Sequence, residues 1–294
     1  MPVMNVDVLC AGHACYDLVF SVSHQPGADE KMVADSLLSC GGGPAANAAV
    51  CVSKLGLTST FAGYLGQDLY GDQHIQELAA YGVDTRLIVR GSPATPLSTI
   101  LVKPDGKRCL INYKGNTQAL PGDVLDSKAV TAKAMLFDGH EPSISLALIE
   151  RARQTNSPTV LDAGSLHQGT LALMRQVDYL VCSEKFAIQY AGNEQHALSQ
   201  LAKLAPVVVI TLGERGVIWQ RGKEQGALPA YPITAIDSTG AGDAFHGAFA
   251  AALALGMDWQ SLLRYASAAG ALCCTRMGAR LGLPSQQDHA GLFR

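Results

Sequence analysis

The chain has 294 residues, 48% of them hydrophobic and 16% charged, with a formal net charge of −3. That length allows a large core, and the near-neutral balance excludes a broad basic face for nucleic acid. The first residues lack a basic region followed by a long apolar run. The longest apolar stretch, GAFAAALALG, is shorter than a bilayer crossing, so neither a signal peptide nor a membrane span is expected. The eight cysteines, Cys10, Cys15, Cys40, Cys51, Cys109, Cys182, Cys273 and Cys274, show no CxxC or zinc spacing. They read as reduced, mostly buried thiols of a cytoplasmic protein.

In chain order, VDVLCAG (6–12) predicts a buried strand, and residues 14–40 are β-prone. GGPAANAAVCVSKLG (42–56) predicts a glycine turn and a helix closed by Gly56. STFAGYLG (59–66) predicts a strand and GDQHIQELAAYG (71–82) a helix with a glycine stop. Residues 95–117 are β-prone again. STILVKPDGKRCLINY alternates there, with Pro104, Asp105 and Gly106 as a hairpin turn. Strands at 134–139, 159–164, 178–183 and 207–213 then alternate with helices at 143–155, 167–176, 184–191 and 195–204. Short apolar strands alternating with helices imply an α/β fold with a mostly parallel sheet covered on both faces. The segments 14–40 and 95–117 lie too close together for βαβ units. They predict a small antiparallel sheet projecting from the body, whose apolar face must cover a substrate or a second subunit.

After the last of these strands comes DSTGAGDAF (237–245), running into the Ala-rich AFHGAFAAALALG. This places Gly240, Ala241 and Gly242 at a helix N-terminus, where unsatisfied N–H groups and partial positive charge meet an anion. Residues without bulk let a phosphoryl group approach. Asp243, directly behind, could take a proton from an attacking hydroxyl. An anion hole beside a base describes phosphoryl transfer to an alcohol. The alternative from the residues alone is a helix start with a first-turn Asp. Neither GxxxxGK[ST] nor a strand-following GxGxxG occurs, so a Walker loop and a dinucleotide fingerprint are excluded.

DSTGAGDAF resembles the C-terminal signature of the PfkB, or ribokinase-like, carbohydrate kinases. CGGGPAANAAVCVSKLG (40–56) resembles their N-terminal Gly-Gly and Asn motif. AGHACYD after the first strand, YLGQDLYGDQHIQELAAYGVDT in the middle and VVVITLGERG before the signature keep the family order, so the resemblance spans essentially the whole chain. It implies one domain, 1–294, built as a ribokinase-like three-layer sandwich, with 14–40 and 95–117 as its β lid. It implies transfer of the ATP γ-phosphate to a sugar hydroxyl, with Mg²⁺ and, in many relatives, a monovalent cation such as K⁺. A homodimer through the lids is also implied.

Carried over by resemblance, Asp243 is the base and Gly240, Ala241 and Gly242 the anion hole. Asp17, Gly42, Gly43, Asn47 and, on the lid, Asn112 bind the acceptor. Thr211, Gly213 and Gly216 flank the nucleotide phosphates, while Ala268, Ala271 and Gly278 lie near the adenine. Asp237 is a candidate for a monovalent-cation loop. Asp162 and Glu141, at strand ends, are candidates for contact with Mg²⁺-bound water. Many relatives carry Asn-x-x-Glu after the DYLV strand, but here CSEKFA puts Ser183 and Phe186 at those positions and shifts Glu184. Pro44 stands where ribokinases carry a Lys. These departures resemble the ketohexokinase and sulfofructose kinase branches. His140 lies where a sulfofructose kinase has an Arg. A histidine is the weaker anchor for a sulfonate, and a neutral sugar is the preferred expectation. A nucleoside kinase of the same fold would need an aromatic stack, with Tyr16, Phe20 and Tyr113 the candidates. A binding protein without turnover would have no need of the base.

Overall fold

A computed structural model describes residues 3–293. The chain begins with β1 (Met4–Gly12), β2 (Cys15–Ser21), β3 (Ser36–Gly42), α1 (Pro44–Lys54), β4 (Ser59–Gly66), α2 (Leu69–Ala80) and β5 (Val83–Gly91). It continues through β6 (Leu97–Val102), β7 (Arg108–Tyr113), β8 (Val130–Phe137), α3 (Pro142–Thr155), β9 (Thr159–Ala163), α4 (Gln168–Leu173) and β10 (Tyr179–Ser183). Then come α5 (Glu184–Ala191), α6 (Glu194–Leu201), β11 (Val207–Thr211), β12 (Val217–Arg221) and β13 (Glu224–Leu228). It closes with α7 (Ala241–Ala254), α8 (Trp259–Cys273), α9 (Ala279–Gly282) and α10 (Gln286–Leu292).

The large sheet has nine strands in the order β13-β12-β11-β10-β9-β8-β1-β4-β5. From β5 to β11 every pairing is parallel; β12 and β13 add an antiparallel hairpin at one edge. Successive residues of one strand serve opposite layers. Val8 and Cys10 pack with α1, α7 and α8, whereas Leu9 and Ala11 pack with α3, α5 and α6. This two-sided burial is why the strands read as continuous apolar runs.

The lid is a four-stranded sheet in the order β3-β2-β6-β7. It is mixed, which corrects the expectation of an antiparallel sheet. β2–β3 and β6–β7 are antiparallel, but β2 and β6 run parallel, with Tyr16 opposite Leu97 and Ser21 opposite Val102. The two lid segments are separated by α1–β5, and a pairing between separate excursions is free to run either way. The predicted turn forms: the Gly106 N–H donates to the Lys103 carbonyl, 2.9 Å, and Gly106 takes φ 73°. Val19, Ile100 and Val102 make a small core on one face, while Leu37, Ile111 and Tyr113 are exposed.

Candidate active site

The site gathers at the carboxyl ends of the parallel strands, the position expected for ligands of an open α/β sheet. Gly240 caps α7 at φ 78°, and a Cβ there would lie 2.6 Å from the Ala279 Cβ, so only glycine fits. The Ala241 N–H turns back to the Ser238 carbonyl, 3.3 Å, and the Ala244 N–H takes the Gly240 carbonyl, 2.8 Å. The N–H groups of Gly242 and Asp243 remain as first-turn donors without an intrahelical acceptor. A Cβ at Gly242 would meet nothing within 4 Å, so this end of the helix opens onto free space.

Asp243 stands in that first turn. The Asn47 amide, projecting from α1, donates to its Oδ2 at 2.6 Å. Burial, and next the Asp162 charge, push Asp243 up to about 7; the Asn47 amide opposes them. Asn47 is itself buried, and its Oδ1 has no hydrogen-bond partner. Such an orphaned buried acceptor suits a ligand hydroxyl.

Asp17 is buried on β2 and accepts the Cys15 thiol, 3.2 Å. A Cβ at Gly42 would lie 2.2 Å from its Oδ2, so glycine is what lets the carboxylate reach across β3. Gly43, at φ 96°, brings the chain within contact of the His13 carbonyl before α1 begins. Burial raises the Asp17 carboxyl, against the opposing pull of Cys15, Ser98, Arg280 and Arg108.

A cavity of about 130 Å³ opens at the end of β1, lined among others by His13, Tyr64, Lys114, His140 and Glu141, while Asp17, Asn47 and Asp243 lie outside its lining. Three imidazoles form a row beside it. The His13 and His140 centroids are 5.1 Å apart, and His140 stacks on His167 at 4.8 Å. Burial, then His140, drive His13 down to about 4, leaving it a neutral donor and acceptor. Asp138 organises the wall, accepting the backbone N–H groups of His13 (2.7 Å), His140 (2.9 Å) and Ala45 (3.2 Å). Sequence reasoning missed His13 and Asp138. Their signal was position, since each ends or directly follows a buried strand.

A second cavity, about 710 Å³, opens on the other side of the α7 turn. Thr211, Gly213, Gly216 and Ala271 line it, together with Tyr231 and Phe245.

The sequence pattern of the pfkB family carbohydrate kinases matches residues 5–286. The chain is similar to the ribokinase of Bacillus subtilis (strain 168), 27% identical over 96% of this chain and 97% of that one. It is similar to probable fructokinase-5 of Arabidopsis thaliana, 29% identical over 87% and 89% of the two chains. The structure of Arabidopsis thaliana ribokinase complexed with ribose and ATP superposes with a TM-score of 0.87. It is 25% identical and covers 99% of both chains. The chain belongs to the PfkB family. It is an ATP-dependent carbohydrate kinase.

Within this PfkB kinase several predicted positions lie elsewhere. Ala268 is fully buried in α8, because Ser267, Gly270, Ala271 and Cys274 form the cavity-facing stripe at helical spacing. Gly278 lies outside that cavity, and its N–H donates to Asp237, 2.8 Å. Asn112 is exposed on β7, and Lys114, two residues on, lines the smaller cavity. Glu141 faces the same cavity and accepts the Leu120 N–H, 2.6 Å. Burial raises it to about 7. Asp162 is buried against His246, with its Oδ2 3.2 Å from the Nδ1.

Asp237, the candidate for a monovalent-cation loop, is engaged within the protein. Its carboxylate accepts the Thr239 N–H (2.9 Å), the Thr239 hydroxyl (2.6 Å) and the Gly278 N–H (2.8 Å). Arg108 of the lid also stands 3.5 Å from it and bonds the Thr239 hydroxyl. At the departure from Asn-x-x-Glu, Ser183 caps α5 through the Phe186 N–H, 3.0 Å, and Glu184 pairs with Arg215, 2.7 Å. Among the described residues no cluster of three or more His, Cys, Asp or Glu is arranged to cage a metal.

Proposed function

We propose that this kinase phosphorylates a hydroxyl of a small sugar, with Asp243 as general base and the Gly240–Gly242 turn as anion hole. One observation carries the reading: the 2.6 Å bond from Asn47 to Asp243 joins the acceptor-side helix to the base at the open end of α7. The acceptor hydroxyl sits between Asp17, the free Asn47 Oδ1 and Asp243. A carboxyl held near 7 can take the hydroxyl proton as the oxygen attacks. The Gly242 and Asp243 N–H groups meet the charge on the transferred phosphoryl group. The larger cavity takes the nucleotide, with Phe245 and Tyr231 on its apolar walls. Mg²⁺, when bound, neutralises phosphate charge; with no protein cage present, the ATP oxygens and waters would hold it. Release of ADP, coupled to detection and screened over pentoses, hexoses, ketoses, a sulfonated ketose and nucleosides, tests the reading. Turnover with no sugar would refute it.

The acceptor cavity supports a sugar over a nucleoside. Tyr16 is buried against Tyr70, ring centroids 5.2 Å apart, and neither it, Phe20 nor Tyr113 lines the cavity; Tyr64 does, with its hydroxyl donating to the Pro93 carbonyl at 2.5 Å. The imidazole row and Lys114 favour a second reading, a sugar bearing a sulfonate or phosphate. We place the neutral sugar first, since burial keeps His13 uncharged and, among the described residues, no arginine lines the cavity.

The exposed Leu37, Ile111 and Tyr113 on the lid support a two-fold dimer through lid faces. Light scattering at micromolar protein should give twice the chain mass, and Ile111→Asp half of that. A monomeric parent chain would exclude it. The eight free cysteines suit a reducing cytoplasm.

A further inference from the structure

His246 lies one turn into α7 and is 2% exposed. Its Nδ1 is 2.6 Å from the Gly242 carbonyl and 3.2 Å from Asp162 Oδ2, and its Nε2 is 3.2 Å from the Val181 carbonyl. A carbonyl oxygen only accepts, so a ring nitrogen held against one must carry the proton. A neutral imidazole has a single N–H and would turn a lone pair onto the other carbonyl. Both contacts are satisfied together only by the imidazolium. Burial is the largest influence and holds the ring below its ordinary value, with the Gly242 and Val181 bonds and the Asp243 charge opposing it; the charged form is inferred from the two carbonyl contacts. The buried cation needs a counter-ion; Asp162 stands 3.2 Å away, and because burial and then Asp138 push its carboxyl up to about 8, its ionised form depends on the ring's charge.

We propose that His246 is a positioning residue for phosphoryl transfer, held as an imidazolium over the Asp162 carboxylate and locking the Gly242–Asp243 peptide. The proposal rests on the assignment of Asp243 as base and of the α7 turn as anion hole. The Gly242 C=O and the Asp243 N–H belong to one planar trans peptide and point opposite ways. Drawing the carbonyl onto the ring aims the Asp243 N–H out of the helix, toward the transferred group. Inside α7 the Gly242 carbonyl is also placed for the His246 backbone N–H, so the ring is a second hold on a peptide at the open end of the helix.

The charge has a second effect. His246 faces Asp162 from β9 and Asp243 from its own helix; Asp138 acts on Asp162, and Asp17 on Asp243. The buried thiol of Cys182, next to Val181, is held protonated by burial. Among the described residues no Lys or Arg is ion-paired with Asp162 or Asp243; the one partner is His246. The imidazolium is therefore the cation that favours ionised Asp243 within this carboxylate cluster.

Ring-¹⁵N NMR of histidine-labelled protein tests the charge state directly. At neutral pH His246 should show two protonated-type nitrogens, and Asp162→Asn should convert one to the pyridine type. His246→Gln keeps a donor for one carbonyl but no charge. It should move the acid limb of kcat/KM upward and lower kcat/KM roughly 10-fold below neutral pH, with nucleotide affinity unchanged. A pyridine-type nitrogen in the parent protein overturns the proposal, as does an unmoved acid limb in a folded His246→Gln protein. If that variant does not fold, the NMR measurement on the parent still decides. A parent protein that phosphorylates no sugar would defeat the assignment of function and leave the ring measurement standing.

Discussion

The proposed phosphate side and the proposed acceptor side of this site are built in opposite ways. The phosphate side is a run of consecutive residues, Gly240 to Asp243, whose chemistry is backbone N–H groups at a helix start. The acceptor side is assembled from side chains on β2, α1, the loop after β1 and the loop after β8, brought together by the sheet. A local backbone device tolerates change around it. A composite pocket depends on every element that supports it. Asn47 joins the two, since it reaches from α1 to Asp243 and keeps an acceptor free for the ligand.

Removing the base should break the phosphate side most severely. Asp243→Asn should lower kcat by roughly 10²–10⁴-fold with sugar and ATP binding within a few fold, as steady-state kinetics and calorimetry would show. Near-parental kcat would remove Asp243 from the mechanism. Gly42→Ala should damage the acceptor side alone. The new Cβ would fall on the Asp17 carboxylate, 2.2 Å away, and a displaced acceptor should cost about 100-fold in kcat/KM for the sugar, with the KM for ATP kept. Equal loss for both substrates would show that the two sides are not separable.

The junction can be read by pH. With Asp243 near 7 and the ionised form active, kcat/KM should rise with pH through about 7 and level off above it. Asn47 lowers this value, so Asn47→Ala should move the acid limb to higher pH. An unmoved limb would mean that the titrating group lies elsewhere. The smallest effect belongs to the imidazole row. His140→Ala should change kcat/KM for fructose or ribose only a few fold, the scale of one hydrogen bond. A selective collapse for a sulfonated sugar in this variant would instead establish an anionic acceptor.

The same contrast explains what was legible in the sequence. β4 (59–66) and α5 (184–191) fall where their patterns placed them, because burial and caps are local properties. DSTGAGD could be read for the same reason. The edge hairpin β12–β13 was not read, since WQRGKEQGAL carries charge on an edge strand and lacks an apolar run. Nor was the parallel β2–β6 pairing, which depends on how two distant excursions dock. His13, Asp138 and Lys114 gain their roles from neighbours far away in the chain, and no local spacing announces such a set. Ala268 and Ala271 differ only in helical phase, which composition does not record.

Gly42 and Asp17 form a two-position lock, one lacking the atom whose space the other occupies. In a diverging lineage neither can drift alone. Any side chain at 42 expels the carboxylate, and a shorter residue at 17 leaves a hole that only a bulkier 42 could fill. Copies of this gene that acquire a new acceptor should therefore change both positions together or keep both. The pair marks where a shift of substrate would first be written in descendant sequences.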